Sequence, residues 1–317
     1  MLSKQRLYFI VFFASLVLSY YQSIRVDAPN YDMKLIRHTS IIKNSAEYPY
    51  KYRLLNAYMT NSTFSLFKLF LPEKPAFLFA YAAQNFIVYL FMLLMAANFF
   101  YLWFDEIGTA IGVLLFSVLV PLSLTGYDNL GDLTTAGFLA LGFYLIINGR
   151  MIFLYPLMFI GAFNEIQIVL LIIFYFWGKS NNFKSSKVWF HSFFLALTFV
   201  ITYGIIYLIR GGHAGTDDFL WYFTKDAWFN ASHLDFIILW IIMIVPLLVL
   251  ALKGVKAKPE FLRRNLIITL PVFYIFVFFF MARMREIDKA ITIFLILIPL
   301  ALFNLLPAHI KKEQVVT

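Results

Sequence analysis

The sequence predicts an all-α integral membrane protein, a polytopic bundle of transmembrane helices that forms one domain over residues 1–317. Hydrophobic residues make up 62% of the chain and charged residues only 14%, whereas soluble domains average roughly 45–50% and about 25%. The apolar residues fall into long runs, and no stretch has the composition of a soluble domain. One water-soluble core cannot bury so large an apolar fraction, so lipid must cover the rest.

A spanning helix needs roughly 20 mainly apolar residues, and the sequence predicts ten membrane segments. They are residues 7–21, 75–104, 108–124, 133–147, 151–163, 166–177, 188–209, 236–252, 266–282 and 290–306. The first resembles a signal peptide, but no small-residue cleavage site follows, so we interpret it as a retained helix. The fifth and sixth are short and are either two helices meeting at Asn164 and Glu165 or one long helix.

The distribution of basic residues between the loops favours two helices at this point, because short cytoplasmic loops are enriched in Lys and Arg. With ten segments and a cytoplasmic N-terminus, the run KGVKAKPEFLRR lies inside, and merging segments five and six would place it outside. We therefore predict a multi-pass membrane protein with both termini cytoplasmic and the active face outside. The net charge of +9 fits cytoplasmic loops beside anionic lipid, and no nucleic acid partner is expected.

The longest polar run, residues 22–53, directly follows the first segment. We predict an outer loop in which Asp27 or Asp32 acts as a general base toward an acceptor hydroxyl. The alternative is a solvated turn, since Ala-Pro-Asn between the two acids favours turns. Residues 54–70 then predict an amphipathic helix on the outer membrane surface, ended by Pro72 and Pro75.

A short outer turn, YDNLGD, carries two acids four residues apart. Asp128 and Asp132 can hold a divalent cation through carboxylate oxygens, or they can cap the next helix. We favour the cap for Asp132 and leave both interpretations open for Asp128. Asp217 and Asp218 are a second, weaker metal candidate. The absence of cysteine excludes thiolate metal sites, disulfides and a cysteine nucleophile.

Two further polar positions interrupt apolar segments. Asn164 and Glu165 lie between two apolar stretches, where an ionisable group is expensive and indicates a functional site; the alternative is a loop apex that reaches outer water. Arg285 and Glu286 belong to a charged cluster between the last two segments. That cluster is either an exposed ion-pair network or a phosphate site, because Arg offers a planar bidentate fork, and Arg37 and Arg53 add positive charge on the same face.

These motifs resemble a pattern in bacterial polytopic proteins of uncertain function: a PYKYR stretch over residues 49–53, a YD…D turn, an Asn-Glu apex and a late Arg-Glu pair. The general layout is similar to that of GT-C glycosyltransferases. This resemblance implies an inverting glycosyltransferase of the bacterial inner (cytoplasmic) membrane that moves a sugar from a polyprenyl-phosphate-linked donor to a lipid, glycan or protein acceptor. It implies Asp27 or Asp32 as the catalytic base. The implied substrate contacts are Arg37, Arg53, Tyr127, Asp128, Asn164, Glu165, Arg285 and Glu286.

Two alternatives come from other functional classes. A transporter or lipid flippase would place ionisable residues near the membrane midplane, whereas nearly all charges here lie at predicted segment ends. The second alternative is a non-catalytic membrane subunit of a glycan-assembly complex. Such a subunit would have a membrane-protein partner and would not require a strong catalytic motif. No cofactor is expected beyond the divalent cation discussed above.

Overall fold

A computed structural model of the chain describes residues 4–47, 50–124, 126–179, 185–211, 228–229, 232–271 and 291–306. Within these ranges the regular structure is entirely helical, as the composition predicts. The α-helices are α1 (Lys4–Gln22), α2 (Tyr31–Ile42), α3 (Leu54–Phe67), α4 (Glu73–Phe100), α5 (Glu106–Ser123), α6 (Leu130–Ile147), α7 (Leu154–Asn164), α8 (Leu170–Gly178), α9 (Ser186–Arg210), α10 (Leu234–Leu252), α11 (Glu260–Arg264) and α12 (Ile291–Leu302). Shorter helical turns are Ser23–Asp27, Tyr50–Tyr52, Met151–Phe153, Ile166–Val169, Val255–Ala257 and Asn265–Thr269.

Five of the described helices are long and apolar enough to cross a membrane, consistent with an integral, multi-pass protein. They are Lys4–Asp27, Glu73–Phe100, Glu106–Ser123, Leu130–Ile147 and Ser186–Arg210. Four shorter apolar helices are Met151–Asn164, Ile166–Gly178, Ile238–Leu252 and Ile291–Leu302. The count of ten spans and the GT-C-like architecture stay predictions.

Helix α4 lies at the centre of the bundle, with α1, α3, α5 and α6 packed around it. Helix α1 runs antiparallel to it: the Ser19 hydroxyl donates to the Ala82 carbonyl at 3.0 Å, and Lys4 reaches the ring of Tyr101 at the far end. Gly137 lets α6 approach closely, because a Cβ there would lie 2.5 Å from the ring of Phe91. Small residues at such contacts are typical of membrane helix packing.

Helices α7 and α8 form a hairpin whose apex is Asn164 and Glu165. Glu165 is extended (φ −164°, ψ 149°) and ends α7. The two arms return to the same level of the bundle, since His191 of α9 contacts the Tyr155 hydroxyl at 2.6 Å and the Tyr175 ring at 6.3 Å. The structure therefore separates these segments, as the two-helix interpretation requires. At about 1.5 Å per residue, each arm is shorter than a membrane core of about 30 Å.

The bundle has two chemically different ends. One end, the basic end, is rich in Lys and Arg: Lys4, Arg6, Arg150, Lys179, Lys187, Lys253, Lys256, Lys258, Arg263 and Arg264, with the acids Asp105, Glu106 and Glu260. The other end, the polar end, contains residues 23–47 and 50–54, the turn before α6, the hairpin apex and the C-terminus of α9. Among the described residues, acids and bases are nearly balanced there, whereas bases predominate at the basic end.

One buried lysine joins two helices at the basic end. Lys258 Nζ donates to the carbonyls of Leu250, Ala251 and Leu300 at 3.1, 2.8 and 2.7 Å. The first two belong to the last turn of α10 and the third to the last turn of α12. A cation at two helix C-termini satisfies orphan carbonyls and complements both helix dipoles.

Three local predictions need correction. The run 22–53 is not an open loop, because the turn Ser23–Asp27 continues α1 and α2 follows after three residues. Asp132 is not the N-cap of α6: the helix begins at Leu130, and Asp132 lies in its first turn, where a carboxylate still favours the dipole. Pro75 does not end a helix, since it lies in the first turn of α4, where proline is tolerated.

Candidate functional site

Helix α2 brings three basic side chains to the polar end on one face. Lys34, Arg37 and His38 are spaced three and four residues apart, which places them together on a helix. Lys34 and His38 are buried against α4: the Lys34 ammonium lies 4.2 Å from the Tyr81 ring, and the Tyr81 hydroxyl lies 3.3 Å from His38 Nδ1. Arg37 is left at the edge, with 28% of its side chain exposed.

A buried ion pair joins the start of α3 to the hairpin apex. Arg53 Nη2 lies 2.5 Å from Glu165 Oε1, and the Glu165 side chain is 2% exposed. Burial by itself lowers the pKa of the Arg53 guanidinium, but the carboxylates of Glu165, Asp132 and Asp128 raise that pKa above its usual value. Arg53 is therefore a permanent cation surrounded by negative charge.

Arg37 lies between two tyrosine rings. The centre of its guanidinium is 3.9 Å from the Tyr50 ring and 4.8 Å from the Tyr127 ring. Its Nη1 also reaches Asp128 Oδ2, at a long 3.5 Å. Aromatic faces hold a guanidinium in place without using its N–H donors. Arg37 is thus positioned by stacking and keeps donors for another acceptor.

Asp27 is part of a separate, closed cluster. Its carboxylate accepts from Lys34 Nζ at 2.5 Å and from Asn85 Nδ2 at 2.6 Å, and the residue is 1% exposed. Both carboxylate oxygens are therefore engaged by donors from α2 and α4. In this arrangement Asp27 holds Lys34 in place and does not line the cavity described below.

Side-chain amides fix the hairpin apex to the rest of the site. Asn164 Nδ2 donates to the Gly131 carbonyl and to Thr135 Oγ1, both at 2.8 Å. Asn164 Oδ1 accepts from Asn56 Nδ2 at 2.8 Å, and Asn56 Oδ1 accepts from Gln84 Nε2 at 3.1 Å. A buried amide network with its partners satisfied is rigid and specific, so it holds α3, α4, α6 and α7 in register.

These groups surround a small cavity of about 30 Å³, which opens beside a wider groove of about 340 Å³. The cavity is lined by Lys34, Arg37, His38, Ile41, Arg53, Asn56, Ala57, Thr60, Tyr81, Tyr127, Asp128, Leu130, Gly131 and Asn164. The groove is lined by Met33, Ile36, Arg37, Ser40, Ser45, Ala46, Glu47, Tyr50 and Tyr127. Arg37 and Tyr127 belong to both, so they form the wall between them.

Six of the residues predicted from the sequence therefore converge on one site: Arg37, Arg53, Tyr127, Asp128, Asn164 and Glu165. The two predicted bases do not join them, since Asp27 belongs to the closed cluster and Asp32 is exposed in the first turn of α2. Arg285 and Glu286 lie outside the described residues. The roles assigned to all of these residues stay predictions.

Metal binding gains no support from the described part of the chain. It contains no group of three or more His, Asp or Glu side chains that could hold a metal ion. Asp128 is held by Arg37, and Asp132 accepts from Gln167 at 3.5 Å. Asp217 and Asp218 lie outside the described residues. Cation binding stays a prediction.

Sequence reasoning missed several residues of the site, namely Lys34, His38, Asn56, Thr60 and Tyr81. A helical periodicity test on the run 22–53 could have found Lys34 and His38, because they share a face with Arg37. Asn56 and Thr60 are also four residues apart. Tyr81 gives no local signal, since its role depends on how α4 packs against α2.

The described helices and the polar cavity define a helical, multi-pass membrane protein with a site at one end of its bundle. Comparison of the chain with protein-family models, with curated proteins and with solved structures gave no match.

Proposed function

We propose that the protein is a membrane glycosyltransferase that moves a sugar from a polyprenyl-phosphate-linked donor to a hydroxyl acceptor. The observation that carries the proposal is the position of Arg37. Its guanidinium is stacked between Tyr50 and Tyr127 in the wall shared by the groove and the cavity. A guanidinium with available donors is the usual protein ligand for a phosphate.

The groove fits an amphipathic substrate. At about 340 Å³ it falls within the usual size of small-molecule sites. Met33 and Ile36 are exposed, at 54% and 70%, on the groove side of α2. Arg37 follows one residue later, so apolar and phosphate-binding groups are adjacent. A lipid phosphate would place its chain beside Met33 and Ile36 and its phosphate on Arg37.

Two accessible carboxylates line the site, Glu47 in the groove and Asp128 in the cavity, and only Asp128 lies beside Arg37. Its side chain is 26% exposed and its contact with Arg37 is long, whereas both oxygens of Asp27 are engaged at short distance. We therefore assign the general base to Asp128. A base must reach the proton that it removes, and Asp27 could do so only after losing Lys34 or Asn85.

The proposed step conserves atoms and charge. The acceptor oxygen forms a bond to the anomeric carbon, and its proton passes to the Asp128 carboxylate. The bond between the anomeric carbon and the phosphate oxygen breaks, and polyprenyl phosphate leaves with the bonding electron pair. Attack opposite to the leaving group inverts the anomeric configuration. Arg37 stabilises the charge that develops on the phosphate.

The distribution of charge sets the proposed orientation. The basic end would face the cytoplasm, because cytoplasmic loops collect Lys and Arg, and the polar end would face outward. The site lies close to that end, since Asn164 bonds Gly131 in the first turn of α6. This shallow depth favours a transferase over a transporter, whose site lies near the membrane midplane.

A binding experiment tests the phosphate site. Purified protein in lipid nanodiscs is titrated with a polyprenyl phosphate and, separately, with the matching polyprenol. We expect tighter binding of the phosphate, and a loss of about tenfold or more in Arg37→Ala, because a charge-assisted hydrogen bond contributes roughly 1.5–3 kcal/mol. Arg25→Ala is the matched control, since Arg25 is exposed at the same end. Equal binding of phosphate and alcohol would overturn the proposal.

A turnover experiment tests the chemistry. A panel of polyprenyl phosphates, each carrying one labelled hexose, is incubated with the protein and membrane lipid acceptors, and released polyprenyl phosphate is measured. Asp128→Asn should lower turnover by about 10²-fold or more, the usual contribution of a general base. Donor binding should not weaken, because the variant removes the carboxylate that competes with the phosphate for Arg37. Full turnover in Asp128→Asn, together with its loss in Asp27→Asn, would return the base to Asp27. Lipid movement across the bilayer without release of phosphate would favour a flippase.

A further inference from the structure

The cavity behind Arg37 is lined by residues that carry polar atoms without a hydrogen-bond partner. Its volume of about 30 Å³ has room for roughly two water-sized groups, since one such group needs about 10–15 Å³. Two of the polar atoms on residues that line it, Thr60 Oγ1 and Arg53 Nε, are buried and have no hydrogen-bond partner among the described residues. Buried polar atoms normally have partners, so both indicate a ligand or solvent group in the cavity.

Thr60 differs from its neighbour on the same helix. The hydroxyl of Thr63 donates to the Met59 carbonyl at 3.1 Å, the usual bond of a helical threonine to the residue four positions earlier. Thr60 lacks that bond although it is 1% exposed. Its hydroxyl can therefore both donate to and accept from a group in the cavity.

The amide N–H groups around the cavity have no such capacity. Both N–H groups of Asn164 donate, to Gly131 and Thr135, and its oxygen accepts from Asn56. The Asn56 amide group donates to Asn164 and Thr134, and its oxygen accepts from Gln84. The amides fix the walls, and Thr60 and Arg53 are left to contact a ligand.

Charge decides what kind of ligand fits. Arg53 is already paired with Glu165 at 2.5 Å, and the carboxylates of Asp132 and Asp128 also act on it. Lys34, which also lines the cavity but not the groove, is likewise paired with a buried carboxylate, that of Asp27 at 2.5 Å. An anion that entered the cavity would therefore compete with these carboxylates for cations that are already paired. A neutral hydroxyl fits better, because it accepts from the Arg53 Nε–H and donates to Thr60 Oγ1 at the same time.

We infer that this cavity is a subsite for one or two hydroxyl groups of a neutral sugar, reached from the groove past Arg37. The inference rests on the proposed function and extends it, because it separates sugar recognition at Thr60 and Arg53 from phosphate binding at Arg37. The full sugar ring exceeds the cavity, so the ring lies at the wall and only its hydroxyl groups enter.

The test compares lipids with and without a sugar. The probes are polyprenyl phosphate and polyprenyl phosphates carrying glucose, galactose, mannose or N-acetylglucosamine, titrated into the protein in nanodiscs. We expect at least one sugar-bearing lipid to bind more tightly than the sugar-free one. Thr60→Val, which keeps the shape and removes the hydroxyl, should reduce that advantage about tenfold and leave the affinity for polyprenyl phosphate unchanged.

Two variants control the result. Thr60→Ser restores a hydroxyl and should recover most of the advantage, and Thr63→Val changes a bonded hydroxyl on the same helix and should have no effect. If the lipid phosphate binds through Arg37 but no sugar adds affinity, or if Thr60→Val keeps the full advantage, the subsite is wrong and the cavity holds water alone. If no lipid phosphate binds, the proposed function fails together with the subsite.

Discussion

Two ion pairs, whose basic residues lie one helical turn apart on α2, differ in how far they are exposed to solvent. Lys34 holds Asp27 at 2.5 Å, with both side chains about 2–3% exposed, whereas Arg37 reaches Asp128 only at 3.5 Å, with both side chains about one quarter exposed. The first pair faces α1 and α4, and the second faces the groove. The same helix face therefore supplies an enclosed structural pair and, one turn further on, a partly exposed pair that is available for ligands.

The difference shows why charge alone does not identify a catalytic acid. Removing one partner of a buried pair leaves an uncompensated charge, so such pairs are strongly constrained. A partly exposed pair contributes little to stability and can exchange its partner for a substrate. By this criterion Asp128 is the better candidate for chemistry, and Asp27 is the better candidate for holding α2 in place.

The largest expected effect comes from breaking the closed pair. Lys34→Met leaves the Asp27 carboxylate buried without its cation, and we expect the free energy of unfolding to fall by about 3–5 kcal/mol. Unfolding by sodium dodecyl sulfate in mixed micelles measures this loss. Lys43→Met is the matched control, because Lys43 is exposed just after α2.

A double variant separates charge from packing. Asp27→Asn combined with Lys34→Met leaves no buried charge, so it should recover more than half of the stability lost by Lys34→Met. If the free energy of unfolding of Lys34→Met alone lies within about 0.5 kcal/mol of the parent value, Asp27 is solvated. The division into a closed pair and an open pair would then be wrong.

A fall in pH should have an intermediate effect on the free energy of unfolding. Burial lowers the pKa of His38, which lies one turn beyond Lys34, below its usual value near 6.5. Asn61 and Asp128 oppose this shift, and the Lys34 ammonium adds to it. The unfolded chain then binds more protons, so the His38 contribution is complete above about pH 6.5 and is lost as the pH falls toward the lower folded pKa.

The measurement is the free energy of unfolding at pH 7.5 and at pH 5.5. Through this window a single group changes stability by at most about 1.4 kcal/mol per pH unit. His38→Gln should flatten the decline, since all other titrating groups are common to both proteins. An identical decline in His38→Gln would exclude His38 as its source.

The smallest effect on stability is expected at the open pair. Arg37→Ala should lower the free energy of unfolding by about 1 kcal/mol or less, because partly exposed ion pairs and cation–π contacts each contribute little. The same variant should lose polyprenyl phosphate binding, as described above. A stability loss as large as that of Lys34→Met would place Arg37 with the closed cluster and weaken its assignment as a phosphate ligand.

Much of the helical framework could be predicted from the sequence. Hydropathy located the segments that became α4, α5, α6 and α9, and the polar Asn164-Glu165 apex marked the break between α7 and α8. The run 22–53 was less predictable. Its many polar residues suggested a loop, but Tyr31–Ile42 is a helix. Lys34 pairs there with Asp27 and the Tyr81 ring, and His38 contacts the Tyr81 hydroxyl, which no local pattern reveals.

The site could be predicted only as a set of residues. The sequence singled out Arg37, Arg53, Asp128 and Glu165, yet Arg37 and Asp128 are 91 residues apart and either arginine could have met either acid. The packing of α2 and α3 against α4 and α6 selected the partners. From the sequence, Asp27 or Asp32 was the expected base, and Asp128 was open between a cation ligand and a helix cap. Only the structure shows that Asp27 is enclosed and Asp128 partly exposed.

The sequence by itself determined the class of this protein, because the hydrophobic effect acts on each segment in proportion to its own apolar surface. It also determined the polar hairpin apex and the bias of basic residues toward one end. The tertiary structure alone decided which carboxylate is enclosed and which stays accessible. It did so because the environment of a charge depends on the helices around it, and those helices come from distant parts of the chain.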